Sequence, residues 1–120
     1  MTTIDALMQD SFARHAGKTA LRRKEGGAWH GISYGDLHAC CERISAGLFH
    51  AGFGGGDRAA IIGPSSAEWV SAYIGTLRTG GIVVPVDKEL KSSELRHVLT
   101  DCEARIVFVA PEYLEMVLEI

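Results

Sequence analysis

Residues 52–85 read GFGGGDRAAIIGPSSAEWVSAYIGTLRTGGIVVP, and the order of patterns within this stretch decides the fold. A glycine-rich turn leads into an apolar run from Arg58 to Gly63. After a Gly-Pro-Ser-Ser break comes a helical pattern from about Ser66, then a Gly-Gly pair and a second apolar run from Ile82 to Val86. Short apolar runs without polar alternation are the mark of strands covered on both faces. A capped helix between two such runs forms a βαβ unit, whose crossover is right-handed in nearly all proteins.

Working outward, the helix from Ser66 is expected to turn Trp69, Val70, Tyr73, Ile74 and Leu77 inward. A second helix, from about Ser92, directs Leu95, Val98, Leu99 and Cys102 inward, and Arg105 to Ala110 forms a third strand. Upstream, Ser33 and Asp36 resemble a capping box, with Leu37, Cys41, Ile44, Leu48 and Ala51 on one face of a helix stopped by Gly52. Thr19–Arg23 and Trp29–Ser33 flank Glu25-Gly26-Gly27 and predict a hairpin. Ile4, Leu7, Met8, Phe12 and His15 predict a first amphipathic helix capped by Thr2 or Thr3 and stopped by Gly17. The fold class is therefore α/β: an N-terminal helix and β-hairpin, then a βαβαβ parallel-sheet unit in three layers, helix on sheet on helix. Glu112 to Ile120 opens another helix.

At 120 residues the chain makes one domain, and a chain of that size buries roughly 65% of its unfolded surface. Residues 1–57 supply helix, hairpin and helix, and residues 58–120 the βαβαβα unit. An apolar helix that reaches the last residue without a C-cap glycine predicts a natural protein that continues past Ile120. A net charge of -3 with Lys and Arg scattered along the chain argues against a nucleic-acid partner. No apolar run nears the roughly 20 residues of a membrane span, and the N-terminus lacks a signal-peptide pattern. Cys40, Cys41 and Cys102 suit neither a disulfide framework nor a metal site, which points to a reduced, cytoplasmic chain.

The glycines of Gly52-Phe53-Gly54-Gly55-Gly56-Asp57 invite a phosphate-loop reading, but that loop leaves a strand and opens a helix, whereas this one leaves a helix and opens a strand. Gly63-Pro64-Ser65-Ser66 has the right polarity for an anion, although helix capping explains it without a ligand. Asp87-Lys88-Glu89-Leu90-Lys91 follows the second parallel strand, at the edge where doubly wound sheets hold ligands, and Lys88 and Lys91 are two cations suited to phosphate. His15, His30, His38, His50 and His97 show no metal-ligand spacing, and no Ser or Cys stands in a nucleophile turn. Trp69 and Tyr73, four apart, read as core rather than as an acyl pocket.

Five motifs then fall in a specific order: ISYGDL (Ile32 to Leu37), AGL followed by GDRAAI (Ala46 to Ile61), PSSAEWV (Pro64 to Val70), LRTGGIVVPV (Leu77 to Val86) and KSSELRHVLTDCEARIVF (Lys91 to Phe108). Together they resemble the N-terminal region of the adenylate-forming superfamily of AMP-dependent acyl-CoA synthetases, in wording nearest to fatty-acid or aromatic-acid CoA ligases. The resemblance implies a two-step reaction. A carboxylic acid attacks the α-phosphate of ATP, with Mg assisting, to give an acyl-adenylate and pyrophosphate, and the CoA thiol then displaces AMP. It also implies that Lys88 and Lys91 face CoA phosphates, Glu89 standing where some relatives carry arginine. The family's Pro-Lys-Gly phosphate loop and C-terminal lysine have no counterpart in this sequence. The chain alone is thus expected to be inactive, to bind no cofactor itself, to pack against the remaining subdomains of the same enzyme, and to self-associate when separated from them.

Two other readings compete. A complete flavodoxin-like or receiver-like binding module would want acidic residues at the end of the first parallel strand, where this chain has Gly63-Pro64. A dinucleotide-binding domain would want Gly-x-Gly-x-x-Gly there.

Overall fold

The computed structural model describes residues 2–120. Helix α1 (Ile4–His15) is followed by the hairpin strands β1 (Thr19–Glu25) and β2 (Ala28–Ser33), helix α2 (Tyr34–His50), strand β3 (Arg58–Ile62), helix α3 (Ala67–Arg78), strand β4 (Ile82–Val86), helix α4 (Ser92–Asp101) and strand β5 (Ile106–Val109). A 3-10 turn (Pro111–Tyr113) and helix α5 (Leu114–Leu118) follow. The terminal helical segment expected from Glu112 onward is thus broken into two short pieces.

Caps explain the helix starts. The hydroxyls of Thr3, Ser33 and Ser66 accept the backbone N–H groups of Ala6, Asp36 and Trp69, each at 3.0 Å, so three donors left free by helix geometry are satisfied. Gly26 and Gly27 both take positive φ, as a two-residue hairpin turn demands.

Strands β4, β3 and β5 form a parallel sheet in that order, with β3 central. Alternation sorts their side chains between two layers. Ala60, Ile62, Val86 and their neighbours Val84, Val107 and Val109 pack under Leu95 of α4 and Met116 and Val117 of α5. Ala59, Ile106 and Phe108 face the other way, onto Ile44 and Leu48 of α2 and onto Phe53. Helix α3 lies beside α2 in that second layer. The chain steps from β3 to β4 through α3, then back across β3 to β5 through α4. Right-handed crossovers in opposite directions require helices on opposite faces, as found. A third cluster of Phe12, Leu37, Cys41 and Ile74 ties α1 and the base of the hairpin to α2 and α3.

Three burial expectations are corrected. Ile4 and Leu7 of α1 are exposed, because only the Met8–Phe12 stripe reaches α2, and Ala51 is likewise exposed beyond the end of α2. Trp69 and Tyr73 are only half-buried. The deeply buried residues of α3 are Ser71, Ala72, Ile74, Gly75 and Thr76, and the missing side chain of Gly75 lets the backbones of α2 and α3 close up. Only β3 is covered on both faces. Ile82 and Pro85 of β4 are exposed and β5 is half-buried, because both strands lie at sheet edges.

Candidate functional site

Helix α3 leaves the C-terminal end of β3 toward one face of the sheet, while the chain leaves the C-terminal end of the adjacent β5 toward the other. Where two neighbouring strands send their connections to opposite faces, a crevice opens at their carboxyl ends. The structure has a cavity there of about 740 Å³, open on one side. That volume falls within the range of small-molecule sites. Ile44, Ile61, Ala72 and Phe108 are among its apolar lining, and the exposed Arg43 and Glu112 contribute charges. The two strands approach closely at this point: Ala110 N–H donates to Ile62 O at 2.9 Å, and a Cβ at Gly63 would lie 2.8 Å from that of Ala110. The residue after β3 is therefore restricted to glycine.

The crevice is an apolar enclosure with charges at its mouth. Arg43 donates to Cys40 Sγ at 3.2 Å. Ser66 caps α3 and Glu68 already places a negative charge in its first turn, so the α3 N-terminus is satisfied without a ligand. No group of three His, Cys, Asp or Glu side chains that could hold a metal ion is found among the described residues. The arrangement can surround an apolar group and present a cation to an acid.

Lys88 and Lys91 lie on the same carboxyl edge of the sheet but at its far side, after β4, and they do not meet the crevice between β3 and β5. Asp87 Oδ1 accepts Glu89 N–H at 2.9 Å, and Lys91 N–H donates to Glu94 Oε1 at 3.3 Å, so the backbone of this loop is fixed by its own acids. Both lysines are exposed, and neither ammonium is in an ion pair among the described residues.

The Gly52–Asp57 turn lies at the opposite, amino edge. Gly54 N–H donates to Asp57 Oδ2 at 2.9 Å, and Arg105 Nη1 donates both to that carboxylate and to Gly52 O, each at 2.7 Å. The Gly54 backbone donor and the Arg105 guanidinium hold the Asp57 carboxyl below the usual carboxylate range. An internal carboxylate thus takes the place an anion would need, and the turn is structural. Burial pushes the Cys41 thiol up to about 11, with a further push from Cys40 and Glu42, so it is an inert core group.

Reading the sequence along the chain picked out Gly63–Ser66 but missed its partners at Phe108, Ala110 and Arg43. The strand order would have supplied Phe108 and Ala110, since two crossovers in opposite directions bring the ends of the first and third parallel strands together, whereas Arg43 comes from the packing of α2 on that sheet.

The chain matches the family of AMP-binding enzymes over residues 8–120. It is 36% identical over 92% of its length to the chalcone synthase cfoA of Aspergillus candidus, of which it covers 4%. It is 30% identical over 89% of its length to the long-chain-fatty-acid–CoA ligase ACSBG2 of Xenopus laevis, covering 14% of that protein. The crystal structure of the anthranilate CoA ligase AuaEII with anthranoyl-AMP superposes with a TM-score of 0.89 at 25% identity, over 97% of this chain and 22% of that one. The chain therefore spans less than a quarter of the length of each of these three proteins.

Proposed function

Because the chain belongs to the AMP-binding enzyme family, we propose that it is the N-terminal α/β subdomain of a cytoplasmic, ATP-dependent, AMP-forming ligase that joins a carboxylic acid to a thiol. The observation that carries this reading is the match over residues 8–120, which takes in the hairpin, α2 and the complete βαβαβ unit. The similarity to a fatty-acid CoA ligase and to an aromatic-acid CoA ligase favours a long-chain or aromatic acid as substrate and CoA as acceptor.

In this reading residues 1–120 are one scaffold piece, and its own residues carry none of the bond-making. The resemblance assigns the ATP and Mg chemistry to a Pro-Lys-Gly phosphate loop and a C-terminal lysine, neither of which this sequence contains. Those groups belong to the rest of the enzyme. The apolar crevice between β3 and β5 and the free edge of β5 are where the remaining subdomains pack, and separated from them the chain self-associates through the same apolar surface. Lys88 and Lys91 act as point charges toward the phosphates of CoA, a role supported by exposed ammonium groups that make no ion pair among the described residues.

Two measurements test this. The 120-residue chain should show no ATP–pyrophosphate exchange with fatty or aromatic acids, and measurable exchange would overturn its assignment as a scaffold. In the intact ligase, Lys88→Gln with Lys91→Gln should raise KM for CoA about tenfold while leaving the KM for ATP and for the acid unchanged. An unchanged KM for CoA removes the two lysines from the thiol site.

A further inference from the structure

Four of the twelve Lys and Arg residues, but only one of the fifteen Asp and Glu, fall between Lys18 and Ser33, so the hairpin is basic within an acidic chain. Three of these cations, Arg22, Arg23 and Lys24, are consecutive in the sequence. The hairpin is a separate two-stranded sheet, and residues 22–31 are all exposed, so its distal half stands clear of the body. Register sorts this half into two faces. Leu21 and Ile32, directly paired, turn toward the core beside Phe12 and Leu37. Arg22, Lys24, Trp29 and Gly31 share the opposite face, with Lys24 paired to Trp29 and Arg22 to Gly31.

That outer face has a particular construction. Gly31 lets Arg22 lie flat, its Cγ 3.5 Å from where a Cβ at residue 31 would stand, and the guanidinium reaches 5.6 Å from the centroid of the Trp29 ring. Trp29 is 63% exposed, with cations on either side. Arg23 and Glu25 neutralise each other at 3.0 Å, whereas Arg22, Lys24 and Lys18 make no ion pair among the described residues. An exposed indole costs free energy in water. An indole flanked by cations fits a surface that offers an apolar–polar boundary together with negative charge. Trp settles at the headgroup level of bilayers, and Lys and Arg beside it keep their charges in the headgroup layer. No helix is long and apolar enough to cross a membrane, so contact of this kind is peripheral.

We propose that the outer face of the β1–β2 hairpin, formed by Arg22, Lys24 and Trp29, docks onto an anionic lipid bilayer surface. Charge complementarity selects this occupant, and Trp29 distinguishes it from a duplex polyanion, which would use the cations and leave the indole in water. The proposal goes beyond the ligase reading and does not depend on it.

The test is co-sedimentation of the full chain with phosphatidylcholine vesicles containing about a quarter phosphatidylserine, compared with phosphatidylcholine alone. Binding should be at least about tenfold stronger to the anionic vesicles and should weaken as salt is raised from about 0.05 to 0.5 M. Arg22→Gln with Lys24→Gln should lose about 10- to 30-fold, while Arg22→Lys with Lys24→Arg should retain binding. In a Trp69→Phe background, emission from Trp29 should shift to the blue on anionic vesicles. Equal binding to neutral and anionic vesicles overturns the proposal. So does binding that survives the glutamine pair in a chain with native circular dichroism. Equally strong binding to a DNA duplex with no shift in Trp29 emission also overturns it, and reveals a general polyanion site.

Discussion

The same substitution, glycine to alanine, should move stability in opposite directions at two helical positions. Nothing lies within 4 Å of where a Cβ at Gly47 of α2 would stand. A Cβ at Gly75 of α3 would lie 2.7 Å from Cβ and Cγ2 of Ile44 and 3.0 Å from the carbonyl oxygen of Cys41. Alanine is favoured over glycine inside a helix by about 0.5–1 kcal/mol, so Gly47→Ala should stabilise by that amount. At Gly75 that gain is opposed by overpacking of about 2 kcal/mol. Rotating Ile44 gives no relief, because its Cβ and the Cys41 carbonyl are fixed to the backbone, so α3 must move away from α2. That movement stretches the bond from Ser45 Oγ to Gly75 O, now 2.7 Å, at a cost of about 1 kcal/mol. The net expectation is a loss of about 2 kcal/mol, or a Tm about 8 °C lower at roughly 4 °C per kcal/mol. Urea and thermal melts followed by circular dichroism read both variants. Adding Ile44→Ala should not rescue Gly75→Ala, since alanine keeps the obstructing Cβ. A Gly75→Ala chain as stable as the parent, or restored by Ile44→Ala, would refute the claim that backbone proximity sets this interface.

Two further predictions concern protonation. Because the Gly54 N–H and the Arg105 guanidinium hold the folded Asp57 carboxyl below the usual carboxylate range, it contributes stability that is complete above the unfolded value and is lost as pH falls through the lower, folded one. Asp57→Asn should therefore flatten the acid limb of the stability curve below about pH 4, with little change in its shape at neutral pH; urea midpoints collected across that range would show an unaltered acid limb if the Gly54 and Arg105 contacts do not hold the carboxylate. Cys41 is fully buried with its thiol pushed up to about 11, so at pH 8 iodoacetamide should label Cys40 and Cys102 in the native chain and reach Cys41 only in urea, as peptide mass spectrometry would read. Labelling of Cys41 at the native rate of its neighbour would mean that α2 opens locally.

Legibility in the sequence followed the range of the interactions involved. The three parallel strands, the serine caps and the two-glycine hairpin turn are set by contacts within a few residues, and each stands in the structure where its local pattern put it. The buried face of α3 was misread because hydrophobicity singles out Trp69 and Tyr73, whereas the fold buries the small Ser71, Ala72 and Gly75, with Gly75 directly against Ile44 of α2. That preference belongs to a helix pair, and one helix read alone does not contain it. The crevice was half legible for the same reason. Gly63 carries a local signal, but its need to be glycine comes from Ala110, 47 positions later, and only the strand order brings the two together.

The two ends of the parallel sheet show how a glycine-rich sequence divides its roles. At the amino edge the turn from Gly52 to Asp57 is closed internally: Gly54 donates to Asp57, Arg105 bridges that carboxylate to Gly52 O, and Gly81 leaves no room for a Cβ against the Phe53 ring, 2.5 Å away. The Gly54 N–H and Arg105 Nη1 thus have acceptors from the chain itself, so a ligand reaching for them would have to displace charge-assisted bonds. At the carboxyl edge the diverging connections after β3 and β5 leave an apolar volume unfilled, and the loop after β4 leaves two ammonium groups unpaired. Chain polarity imposes this asymmetry, because all three strands run the same way and every βα connection leaves from one end. An insertion or substitution that opens the amino edge should thus cost stability, whereas changes confined to the rim of the carboxyl edge, at Arg43 or Glu112, should leave the melting curve within about 0.5 kcal/mol of the parent.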